Sequence, residues 1–104
     1  MEQPNLSLIK EISGNDIDFQ NSILEIIKKE FRPEVELFKE NYLSKNFIEA
    51  SNNVHKIKHK ISLMGLEKGL ETASAYEIAL KEGDLKLHNN FLEIIDKIHV
   101  YLYE

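Results

Sequence analysis

No cysteine occurs among the 104 residues, which excludes a disulfide, a zinc–thiolate site and a thiol nucleophile. No apolar run approaches the roughly 20 residues that a helical membrane span requires. The opening MEQPNLSLIK lacks both the basic region and the apolar core of a signal peptide, so the chain is expected in the cytoplasm and away from membranes. Basic residues are too few for a general nucleic-acid footprint, since the net charge is −5. A glycine-rich nucleotide-binding loop is missing, and no segment sustains the period-2 alternation of a half-buried strand. What remains, with 42% hydrophobic and 30% charged residues, is an ordinary globular composition. It is enough for one domain over 1–104 with one core, expected to be a monomer.

Helical periodicity fills almost the whole chain. Leu6 to Ile12 reads as a short helix whose Leu8, Ile9 and Ile12 can close one end of a core. Ser13-Gly14-Asn15-Asp16 ends it, because glycine suits the position after a helix and aspartate or asparagine the position before the next. A long pattern follows through Phe19, Ile23, Ile26 and Ile27 and resumes after Pro33 with Val35, Leu37, Phe38, Tyr42 and Leu43. An interior proline removes a backbone donor and crowds the preceding turn, and no turn cluster flanks it, so one kinked helix is expected there. Beyond the polar turn Ser44-Lys45-Asn46, a helix runs to about Met64 and stops at Gly65. Another takes Leu66 or Glu67 to Lys81, presenting Leu70, Ala73, Tyr76 or Glu77, and Leu80. Glu82-Gly83-Asp84 separates it from a last helix, Leu85 to Leu102, with Leu87, Phe91, Ile94, Ile95, Ile98 and Leu102 turned inward. The expected fold is all-α, an antiparallel four-helix bundle with a short additional N-terminal helix.

The stretch Asn46 to Leu66 carries the chemistry. Ala50, Val54, Ile57, Ile61 and Met64 form one apolar stripe at helical spacing. At about 100° per residue His55 falls away from that stripe, on a face shared with Ser51, Lys58 and Ser62 and flanked by Ile48 and His59. A neutral imidazole is a competent nucleophile, and a lysine three residues on can set its ammonium beside negative charge on the modified ring. Lys45, Lys56, Lys58 and Lys60 face a single acid, Glu49, between Ser44 and Leu66, a local basic excess that suits an acidic or phosphorylated partner. Ile48, Ser51, Asn52, His59, Ser62 and Leu63 then form the docking surface around His55. His55 and His59 also stand at the i, i+4 spacing that zinc accepts. No glutamate or third histidine lies at helical spacing beside them, and His88 and His99 belong to other elements, so no metal ligands are assigned. Ser51 and Ser62 have no activating base and read as surface polar residues.

His55-Lys56-Ile57-Lys58, with Gly65 ten residues after the histidine, resembles the His-x-Leu-Lys-Gly motif and downstream glycine of histidine-containing phosphotransfer domains. Phe47, eight residues before the histidine, Ser13-Gly14-Asn15-Asp16 with Phe19, and Tyr76-Glu77 followed by Glu82-Gly83-Asp84 extend the resemblance over most of the chain. It implies a four-helix bundle acting as a phosphorelay intermediate, with His55 as the phosphoryl acceptor and Lys58 as its electrostatic support. The implied partners are response-regulator receiver domains and a hybrid sensor kinase. Such a carrier has no kinase activity of its own and binds no cofactor, the Mg²⁺ being held by the receiver. His59 departs from the family, which usually has glycine there to let the receiver approach. A non-catalytic helical module that docks partners through the same surface is the alternative.

Overall fold

In the computed structural model, which describes residues 2–104, the chain forms five helices, and the described residues contain no strand: α1 (Ser7–Ser13), α2 (Ile17–Leu43), α3 (Phe47–Leu63), α4 (Glu67–Lys81) and α5 (His88–Tyr103). None of these helices is long and apolar enough to cross a membrane. The helix α2 runs through Pro33 without a break. At about 1.5 Å per residue its 27 residues span some 40 Å, most of the molecule's 44 Å length.

Each helix contributes the stripe that its spacing allows. The five residues of the expected stripe, Ala50, Val54, Ile57 and Ile61 of α3 and Met64 at its C-terminal cap, are all fully buried. Facing them are Ile27, Phe31, Val35 and Phe38 of α2, Ala73, Tyr76 and Leu80 of α4, and Phe91, Ile95, Ile98 and Leu102 of α5. Tyr76, not Glu77, is thus the core residue of its pair. Ile9 of α1 joins the same cluster, whereas Ile12, Phe19, Ile26, Leu37 and Leu43 stand exposed on their helices. Contacts run from α2 to α3, α3 to α4, α4 to α5 and α5 back to α2, with α1 laid on α2. The helix α3 therefore has α2 on one flank and α4 on the other, which leaves its remaining face open.

Helix ends are set by local chemistry. The Asp16 carboxylate accepts from the Phe19 N–H at 3.0 Å and caps α2. The cap of α4 comes from far along the chain: the carboxylate of Glu2 accepts from the N–H groups of Lys68 and Gly69, both at 2.9 Å. Burial opposes the charge on Glu2, but these backbone donors and Lys68 outweigh it and hold the carboxyl below its ordinary range. The helix α5 begins at His88 and not at Leu85, because the Asp84 side chain accepts from the Lys86 N–H and closes a turn first.

Three helices end in the same pair of backbone bonds. After α3, Gly65 N–H donates to Ser62 O and Leu66 N–H to Ile61 O, with Gly65 in the left-handed region at φ 77°. A side chain at Gly65 is doubly excluded, because a Cβ there would come within 2.6 Å of the Asn5 amide. The turn after α2 repeats the pattern through Lys45 N–H to Tyr42 O and Asn46 N–H to Asn41 O, but Lys45 takes φ 61° with a side chain attached. Left-handed backbone costs a non-glycine residue about 1–2 kcal/mol, part of which glycine returns as unfolded-chain entropy. Lys45→Gly is accordingly expected to stabilise the protein by about 0.5–1 kcal/mol in urea titration. A decrease would show that the lysine side chain has a compensating contact.

Toward the far end of α4 the Tyr76 hydroxyl and His88 Nδ1 share a hydrogen bond of 2.6 Å, and the His88 ring stacks on Tyr42 with centroids 3.7 Å apart. Burial pushes the Tyr76 hydroxyl pKa up and the His88 pKa down, which favours the neutral form of both partners. With Ala73, Tyr76 and Leu80 of α4 turned into the core, the next residue, Glu77, falls toward α3.

Candidate functional site

The open face of α3 is joined to α4 by one carboxylate. Glu77, whose side chain is 14% exposed, receives His55 Nδ1 at 3.1 Å on one oxygen and Lys58 Nζ at 2.9 Å on the other. Its backbone is pinned as well, since the Ser51 hydroxyl donates to Glu77 O at 2.8 Å. Burial works against the charge of Glu77, but the hydrogen bonds and charges of Lys58 and His55 outweigh it and hold the carboxyl below the usual carboxylate range.

The geometry determines which histidine nitrogen is available. An ionised carboxylate can only accept, so the proton of a neutral His55 sits on Nδ1 and the lone pair on Nε2. The side chain is 55% exposed, and Nε2 is the nitrogen left for chemistry. Lys58, at 22% exposure, shares that carboxylate, its ammonium drawn onto Glu77. An imidazole, a carboxylate at its back and an ammonium alongside can take an electrophile on Nε2, offset the positive charge that the ring then acquires, and face an anionic group with a cation.

Of the residues expected to surround His55, Ile48, Asn52 and His59 are exposed, and Ser62 and Leu63 are half-buried. Ser51 is not part of that surface. It is fully buried, because it sits on the side of α3 that meets α4, and its hydroxyl is spent on Glu77 O. The basic face is also smaller than the sequence suggests. Lys60, only 12% exposed, is 3.0 Å from both Glu30 and Glu34 of α2. Burial lowers its pKa, but the two glutamates outweigh this and raise it above the ordinary lysine value. With Lys58 also paired, only Lys45 and Lys56 of the four lysines have no ion pair among the described residues.

Glu77 is the residue that sequence reasoning passed over as part of the site. Its signal was weak but present, an acid one position beyond a core tyrosine on the helix after the histidine. Only the register of α4 against α3 brings it beneath His55. His59 lies one turn beyond His55, its ring perpendicular to that of His55 with centroids 5.3 Å apart. Among the described residues no group of three or more histidine, cysteine, aspartate or glutamate side chains is placed to hold a metal ion. Compared with models of protein families, with curated proteins and with solved structures, the chain finds no significant match in any of the three.

Proposed function

We propose that this protein is a phosphoryl carrier of the histidine-containing phosphotransfer type, its helices α2 to α5 forming an antiparallel four-helix bundle with α1 as a short addition. The closed ring of contacts among those four helices and their shared core support the bundle. The observation that carries the functional reading is the sharing of Glu77 between His55 and Lys58.

In this reading the Nε2 lone pair attacks the phosphorus of an aspartyl phosphate on a receiver domain. The N–P bond forms as the P–O bond to the aspartate breaks, and the aspartate leaves as a carboxylate. The ring keeps its Nδ1 proton and gains positive charge, which the Glu77 carboxylate offsets at 3.1 Å. Lys58 then stands as the cation beside the transferred group, and positioning with charge compensation is most of what such a transfer asks of a protein. The receiver supplies the aspartate and Mg²⁺. The reverse sequence hands the group to a second receiver, and exposed Ile48, Asn52 and His59 offer the surface on which either would dock. A carrier between cytoplasmic receivers works as a monomer and without kinase activity.

The test is a transfer assay with a panel of phosphorylated receivers in Mg²⁺. Acid-labile, base-stable label is expected to move to this chain from at least one receiver and to be chased onto another. Absence of transfer from every receiver would favour the docking module without chemistry.

A further inference from the structure

We propose that His59 is a second ligand of the phosphoryl group carried on His55, an N–H donor that completes a cradle begun by Lys58. The proposal rests on the reading of His55 as the phosphoryl acceptor and concerns what holds the group once it is there.

Glu77 ties Nδ1 of His55 toward α4, so a group on Nε2 projects toward the open face of α3. Around the helix, Lys58 lies about 60° to one side of His55 and His59 about 40° to the other. The root of the His55 side chain, which carries such a group, therefore lies between theirs in angle. The His59 and His55 rings are perpendicular with centroids 5.3 Å apart, a separation that a phosphoryl group built on one ring can bridge by a hydrogen bond of about 2.8 Å from the other.

His59 is also unoccupied. It is exposed, and among the described residues no hydrogen bond or ion pair engages it, in contrast to Lys58, which is drawn onto Glu77, and Lys60, which is held by Glu30 and Glu34. Of the three polar side chains at positions 58 to 60, only His59 is both on the His55 face and unengaged. A neutral imidazole always carries one N–H, so it can donate to a phosphoryl oxygen whatever its protonation state. Glycine at this position would leave that side of the group to water.

The experiment phosphorylates the protein with phosphoramidate, which needs no receiver, and follows phosphohistidine hydrolysis after the donor is removed. His59→Phe keeps a flat ring beside His55 and removes the N–H, and His59→Gln keeps a donor of similar reach without the ring. A charge-assisted hydrogen bond open to water predicts a half-life about three- to tenfold shorter in His59→Phe, and within about twofold of the wild type in His59→Gln. An unchanged half-life in His59→Phe overturns the proposal, as does equal shortening in both variants, which would make the donor irrelevant. Failure of the wild-type protein to take label on His55 is a different result. It would overturn the carrier reading itself, before any variant is compared.

Discussion

His55→Gln is expected to abolish phosphoryl uptake, with label from a phosphorylated receiver or from phosphoramidate falling to background. Nε2 of His55 is the nucleophile in this account, and glutamine offers an amide of no comparable reactivity. The fold should survive. The side chain is 55% exposed and its contact with Glu77 is partly solvated, so the melting transition should shift by no more than about 1 kcal/mol of stability. Retention of label in the folded variant, or its appearance on His59, would remove His55 from the centre of the mechanism.

Glu77→Ala should have the next largest effect. It removes the carboxylate that holds the His55 tautomer and leaves Lys58 without its anchor, and the comparable partners that orient metal-bound histidines are worth about 10–100-fold. Uptake on His55 is expected to slow by that factor, and Glu77→Gln, which can still accept from Nδ1 but carries no charge, should fall between. The same carboxyl predicts a pH signature. Because its pKa is lowered in the folded protein, its contribution to stability is present above the unfolded carboxyl value of about 4.3 and is lost as pH falls through the folded value. Wild-type and Glu77→Gln stabilities should differ above about pH 5 and draw together as the pH falls through the range in which the folded carboxyl is protonated. Equal uptake rates in all three proteins would make Glu77 a structural tie between α3 and α4 and nothing more.

What could be read from the sequence is what depends on one helix at a time. The stripe from Ala50 to Met64 was legible because burial against any neighbour demands that spacing, and Gly65 and Asp16 were legible because helix ends have their own local chemistry. Facts that depend on a second helix were not. Ser51 lies only about 40° around the helix from exposed His55, yet it is buried, because the boundary between the two faces is drawn by where α4 packs. Lys58 and Lys60 look alike in a basic stretch, but one turns to α4 and the other to α2. Glu77 was legible as a residue one position beyond a core tyrosine and became part of the site only through the way α4 packs on α3. The late start of α5 turned on a single side chain, Asp84, bonding to the backbone two residues on.

The account is tested most directly by finding which nitrogen carries the phosphoryl group. Heteronuclear NMR of the protein labelled with ¹⁵N at histidine, recorded before and after phosphoramidate treatment, reports the modified ring and the atom within it. The account predicts a single phosphohistidine, at Nε2 of His55, with the Nδ1 proton retained against Glu77. Phosphorylation at Nδ1 of His55, at His59, or at no histidine would contradict it.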